Sequence, residues 1–191
     1  MALRGIINPA MPSILLSPDL SESDPLVSLE RGGIALNDPS QGLDYQDWRC
    51  YLEGGVVKVT PVLGGTVTSV FTPTGVVTSL SLAFDTNMAV TIAYVEDGLV
   101  KLRWFNTTLP GIQTDTIAGA TACKCGTDEK RRDLEGLSDV IFAYLRAGNL
   151  YYRQQRDRYL IEYLVGAVGA SFKLRRVGKN VGNRFQFELS T

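Results

Sequence analysis

The sequence predicts a mainly β protein, an antiparallel β-sandwich or a set of open propeller-like blades with a repeated hairpin unit, preceded by an extended N-terminal arm. Three observations carry this. Runs rich in β-branched residues are separated by Gly and Pro turns at intervals of about ten residues. No stretch sustains helical periodicity. A hairpin pattern recurs without gaps 50 residues further along the chain.

Residues 1–50 are expected to be the arm. Pro9, Pro12, Pro18, Pro25 and Pro39 break up isolated apolar groups such as Ile14-Leu15-Leu16, so neither helix nor strand should run far. The segment is too apolar for a typical disordered tail, which suggests ordering against another surface, its own or a neighbour's.

From Tyr51 the pattern is that of an antiparallel β domain reaching residue 191. Val56–Thr60, Thr66–Phe71 and Val76–Leu82 read as strands, with turns at Gly64-Gly65 and Pro73-Thr74-Gly75. Ala89–Asn106 aligns on Asp139–Arg156 with Val90/Val140, Ala93/Ala143, Tyr94/Tyr144, Gly98/Gly148 and Arg103/Arg153 identical, 5 of 18 positions, where ordinary usage gives about one. Each copy reads as a strand, a tight Gly turn and a returning strand. Further strands upstream, Leu80–Asp85 and Ala122–Asp128, extend the units to residues 78–106 and 122–156 and make them three-stranded. Two or three such units are too few to close a propeller. Two more strands, Arg158–Leu164 and Arg184–Leu189, complete the domain, with flexible breaks at Gly166–Gly169 and Gly178–Gly182.

The 191 residues suffice for one core without staples, and 20 acids against 19 bases leave a net charge of −1. Nucleic acid is therefore not expected as the main ligand. The charge is uneven, at −4 over residues 1–60, −2 over 61–120 and +5 over 121–191. Complementary ends suit contact within one chain or head-to-tail contact between copies in a ring. No run of about 18 apolar residues is present, so stable membrane insertion and secretion are not expected.

The chain has no His, which removes imidazole triads and the common zinc sites. Cys50, Cys123 and Cys125 form no paired zinc spacing and read as small buried hydrophobes, with no disulfide framework. Asp85, Asp97, Asp115 and Asp128 could furnish a glycosidase-like acid pair, but nothing in the sequence sets two of them about 5–10 Å apart. Asp128–Glu135 reads as a solvated loop of mixed charge. The expectation is a chain that is not an enzyme and needs no cofactor or metal.

Interaction chemistry is more prominent. Tyr151-Tyr152-Arg153-Gln154-Gln155-Arg156-Asp157-Arg158 interleaves aromatics with Arg, a composition suited to a protein interface. With Ile14, Leu15, Leu16 of the arm and the two tryptophans, Trp48 and Trp104, these residues (Tyr151, Tyr152, Arg153, Arg156 and Arg158) are the candidate interface.

Val90-Thr-Ile-Ala-Tyr-Val-Glu-Asp-Gly98, Val100-Lys-Leu-Arg-Trp104, Asp139-Val-Ile-Phe-Ala-Tyr144, Gly148–Arg158 and the ending Arg184-Phe-Gln-Phe-Glu-Leu189 together resemble small virion structural proteins of tailed bacteriophages of Gram-negative hosts. The resemblance spans residues 78–191. It implies a non-enzymatic tail or head-to-tail component, made in the host cytoplasm, residing in the virion, and assembled as a homo-oligomeric ring with other tail or connector proteins. The alternative is a receptor- or glycan-binding module at the tail tip, using Trp48, Trp104, Tyr151 and Tyr152.

Overall fold

The structure is a computed structural model that describes residues 13–16, 25–32, 46–85, 89–106, 111–128, 139–179 and 185–191. After β1 (Ser13–Leu16), the chain forms β2 (Val27–Gly32), β3 (Gln46–Glu53), β4 (Val56–Pro61) and β5 (Thr68–Phe71), an antiparallel sheet in that order. A second sheet follows from β6 (Val77–Phe84), β7 (Val90–Glu96), β8 (Leu99–Asn106) and β9 (Gly111–Ile117). The third contains β10 (Ala120–Asp128), β11 (Asp139–Arg146), β12 (Asn149–Gln154) and β13 (Tyr163–Ala167). β14 (Lys173–Lys179) and β15 (Phe185–Ser190) make a hairpin, and β1 joins it beside β15 as the fourth sheet.

The mainly β expectation is met. Among the described residues the only helical element is a single 3-10 turn at Gln155–Asp157. Several finer expectations are corrected. The repeat unit has four strands, because Gly111–Ile117 and Tyr163–Ala167 each add one along the outer edge. Among the described residues four sheets are present, where the sequence suggested two or three units. The pairing is not wholly antiparallel, since β1 runs parallel to β15, Ser13 opposite Gln186 and Leu16 opposite Leu189. The expected boundary at residue 50 falls inside β3, and β2 pairs with β3 from Val27/Tyr51 to Gly32/Gln46. The rest of the expected arm, residues 1–12, 17–24 and 33–45, lies outside the described residues, as does the charged run 129–135.

Arg158–Leu164 is not one strand. The chain makes the 3-10 turn, then passes through left-handed conformation at Arg158 (φ 52°) and Tyr159 (φ 57°) before β13 begins at Tyr163. The physical reason is the pull of Tyr159 into the core, where its ring meets Trp104 edge-on at 5.0 Å. The two expected glycine breaks are also shifted, since Gly166 lies within β13 and Gly178 within β14.

The first three sheets share one hairpin between their second and third strands. Its two turn residues are Gly54-Gly55 (φ 58°, 77°), Asp97-Gly98 (50°, 75°) and Ala147-Gly148 (49°, 72°). Positive φ at both positions makes these primed two-residue turns, whose twist matches that of the flanking strands. The acid–base pair beside the turn also recurs: Glu53 with Lys58 at 2.8 Å, and Glu96 with Lys101. In the third copy the corresponding positions are Arg146 and Tyr151, and the guanidinium lies 4.5 Å from the ring centroid.

Three apolar clusters join consecutive sheets. Cys50, Val57 and Val59 meet Leu80, Leu82, Ile92 and Tyr94 between the first two. Val100, Leu102 and Trp104 meet Cys123, Cys125, Phe142 and Tyr144 between the second and third. Ile141, Ala143 and Leu150 meet Leu174, Phe185, Phe187 and Leu189 between the third and fourth. Each fully buried Leu, Ile or Phe contributes about 2–3 kcal/mol of apolar burial, so these layers dominate stability.

One edge strand from each sheet lies beside the next, β2 against β6, β6 against β10 and β10 against β14. They are joined by side chains. Ser28 Oγ accepts from Leu82 N at 2.9 Å, Ser81 Oγ accepts from Cys125 N at 3.0 Å, and Thr127 Oγ1 donates to Phe84 O at 3.0 Å. Between β10 and β14 the backbones approach so closely at Gly126 that an added Cβ would stand 2.4 Å from Val177 O.

Candidate functional site

Most candidate aromatics are in the fold interior. Trp104 is buried, donates from Nε1 to Asp115 Oδ2 at 2.8 Å and packs on Tyr159, so it is corrected from interface to core. Trp48 is half-buried against Phe84, ring centroids 5.3 Å apart. Tyr151 stacks on Tyr144 at 5.8 Å, and Tyr152 stacks on Tyr163 at 4.9 Å while touching Phe185. Alternation along β12 directs the two tyrosines to opposite faces, yet both faces are covered, because a sheet lies on either side.

Arg153 belongs to a polar network. It donates from Nε to Tyr144 Oη at 3.2 Å, from Nη1 to Tyr159 O at 3.1 Å and from Nη2 to Glu162 at 3.4 Å. Tyr144 and Arg146 also donate to Glu162. Burial, then the Glu162 carboxylate, pushes the Tyr144 phenol up to about 12. Burial alone would raise Glu162, but the bonds from Tyr144 and Arg146 outweigh it and hold the carboxyl below its ordinary value. The cluster fixes the left-handed excursion at Arg158 and Tyr159 onto the third sheet.

Arg156 and Arg158 are exposed, the former 4.0 Å from Asp157. Beside them in sequence stand Leu160, 79% exposed, Ile161 at 50% and Leu164 at 62%. The candidate residues therefore divide: the aromatics and Arg153 hold the fold, while the two arginines accompany an apolar surface on the chain leading into edge strand β13. Sequence reasoning missed the leucines, although Leu160-Ile161 between polar neighbours was the available signal. Ile14, Leu15 and Leu16 lie in β1 beside β15.

Three of the four carboxylates weighed as catalysts have structural partners, and the side chain of Asp128 lies outside the described residues. Asp85 accepts from Ala89 N at 2.8 Å and Gln155 Nε2 at 3.0 Å, Asp97 accepts from Val76 N at 2.8 Å, and Asp115 holds Trp104. All three cysteines are buried and free. Burial pushes Cys50 and Cys125 up to about 12 and raises Cys123 as well, so they are thiols rather than nucleophilic thiolates at neutral pH. Among the described residues no group of His, Cys, Asp or Glu could hold a metal ion, and no helix is long and apolar enough to cross a membrane.

No protein-family model, curated protein or solved structure matches the chain.

Proposed function

We propose that the chain is a non-enzymatic structural subunit of a tailed-bacteriophage virion, a tail or head-to-tail ring component docking neighbouring tail proteins and further copies of itself. The observation that carries this reading is the surface around β13. Leu160, Ile161 and Leu164 are exposed beside Arg156 and Arg158, at a sheet edge where β13 pairs with β12 on one side. An apolar edge of this kind is a docking surface or an aggregation hazard, and a subunit covered by neighbours uses it as the former. The basic last third, +5, and acidic first third, −4, supply complementary charge for a head-to-tail contact.

In this reading the four sheets are blades of an open propeller-like scaffold. Supporting it, β2, β6, β10 and β14, one strand from each sheet, line a common cleft, and three apolar layers separate consecutive sheets. The tail-tip alternative is less supported, because the rings of Trp48, Trp104, Tyr151 and Tyr152 are engaged in packing.

Light scattering on purified protein tests the assembly. The expected result is a discrete oligomer that a Leu160→Glu, Leu164→Glu double variant converts to a folded monomer. A wild-type protein that stays monomeric alone and with neighbouring tail proteins, or that binds glycans as a monomer, would overturn it. A reconstruction of intact particles tests the virion assignment directly.

A further inference from the structure

Each of the first three sheets ends on an outer strand, β5, β9 or β13, whose far side pairs with no other strand among the described residues. Such an edge is a template for another chain unless it is short, bulged or charged. β5 has four residues and a register shift against β4. β9 carries none of these protections. It runs seven residues, Gly-Ile-Gln-Thr-Asp-Thr-Ile, without Pro, Lys or Arg, and its register with β8 is continuous from Val100/Ile117 to Asn106/Gly111. Ile112, Thr114 and Thr116 are exposed along one face, and Ile112 stands directly opposite the exposed Phe105 of β8.

The surface around β13 matches this edge in chemistry. Leu164 is exposed and stands opposite Tyr151 of β12. Setting β9 of one copy antiparallel to β13 of another, with Ile112 opposite Leu164, forms one apolar row in which Phe105 and Ile112 continue into Leu164 and Tyr151 of the second copy. Apolar cross-strand pairs of this kind are the unit of sheet stabilisation. Charge selects the antiparallel sense. Asp115, the one charged residue of β9, accepts from Trp104 Nε1 through Oδ2, which leaves Oδ1 as an acceptor. Arg158 is exposed on the approach to β13 and has no ion pair among the described residues. Antiparallel pairing carries Arg158 towards the Asp115 end of β9, and parallel pairing would carry it towards the Gly111 end. Glu162, the acid of the same approach, is already neutralised by Arg146 and Arg153.

We infer that β9 is the receiving edge for β13 of a neighbouring copy, so that the second sheet of one copy continues into the third sheet of the next. The two partners contribute different patches, a heterologous contact that propagates into a ring or a filament. The inference rests on the reading that the β13 surface docks further copies, and it names the strand that receives it.

Disulfide cross-linking of the full chain tests the inference. Ile112→Cys protein mixed with Leu164→Cys protein should form a linked heterodimer under mild oxidation. Neither variant alone should link, nor should Val67→Cys mixed with Leu164→Cys, and the three native thiols are buried and do not compete. In light scattering, Ile112→Lys, which places a guarding charge on an exposed edge position, should raise the concentration at which the oligomer dissociates at least about tenfold. Should that variant fold poorly, the cross-link decides. An oligomer that the Leu160→Glu, Leu164→Glu pair dissolves, with no heterodimer and no effect of Ile112→Lys, overturns the role of β9 and leaves docking at β13 standing. Self-linking of Ile112→Cys assigns the edge to β9–β9 pairing and overturns it equally. A wild-type chain that stays monomeric overturns the docking reading itself, and the inference with it.

Discussion

Replacing Glu96 with Gln should destabilise the protein by about 2 kcal/mol at neutral pH. Glu96 is 4% exposed, and its Oε1 accepts from Thr74 N at 2.6 Å and Gly75 N at 2.8 Å, while Oε2 accepts from Lys101. One carboxylate thus fastens the β5–β6 connection to the β7–β8 turn. Burial alone would raise its pKa, but the bonds from Lys101, Gly75 and Thr74 prevail and hold it at about 2 against an ordinary 4.5. The interval corresponds to roughly 3 kcal/mol. Thr74, which covers the carboxylate, is itself exposed, and solvent screening reduces the expected loss to about 2 kcal/mol. Glutamine retains one acceptor oxygen for the two amides but presents an NH₂ group to the Lys101 ammonium.

The folded-state pKa is depressed, so this stabilisation is complete above pH 4.5 and disappears as pH falls towards 2. Urea unfolding followed by circular dichroism at pH 7 and near pH 2 gives the measurement, and the melting temperature at pH 7 should fall by about 4–8 °C. The gap between wild type and variant should close on acidification. Glu53→Gln is the internal control. It occupies the same place beside the first-sheet turn, pairs with Lys58 at 2.8 Å, and is 64% exposed, so no measurable loss is expected. Equal effects from the two substitutions, or a gap that persists at low pH, would refute the reasoning.

Gly126→Ala should cost about 2–3 kcal/mol, because its Cβ would meet the backbone oxygen of Val177 at 2.4 Å and separate β10 from β14; denaturant melts check this. The three thiols should react with an aromatic disulfide reagent at the rate of unfolding, and immediate labelling of any would contradict their burial. Tyr144→Phe should remove about 1–2 kcal/mol by leaving Glu162 and Arg153 without the phenol. Hydrogen exchange at residues 158–162 should accelerate in that variant, since the lost bond anchors that excursion.

The hairpins around Asp97-Gly98 and Ala147-Gly148 were readable because turn chemistry and strand composition coincide within a few residues. The third copy was equally visible in principle. Tyr51-Leu-Glu-Gly-Gly-Val-Val-Lys58 shares Tyr, Glu, Gly, Val and Lys in register with Tyr94-Val-Glu-Asp-Gly-Leu-Val-Lys101. A boundary at residue 50 divides β3, the first strand of that hairpin, and leaves only its last residues with the turn. β14 escaped notice because Lys173, Arg175 and Arg176 leave only Leu174 and Val177 to mark a strand, and the bulge disrupts their alternation. Composition identified Tyr151-Tyr152-Arg153 as interaction chemistry but could not distinguish an interface between chains from one between sheets. Both are apolar surfaces with Tyr and Arg at their margins. Only the position of Tyr144, Tyr163 and Phe185 around those side chains separates the two.

The parallel pairing of β1 with β15 joins Ser13–Leu16 to Gln186–Leu189, nearly the full length of the chain apart. Such a clasp makes folding non-local by construction. During synthesis the three four-stranded sheets can form in succession, each from contiguous sequence, whereas β1 must wait until residues 186–189 have been made. Its partner position beside β15 is therefore filled last, after loop closure over some 170 residues whose entropic cost grows only slowly with length. A chain interrupted before β15 would carry three finished sheets and an unlatched first strand, so the clasp reports whether synthesis has passed residues 186–189.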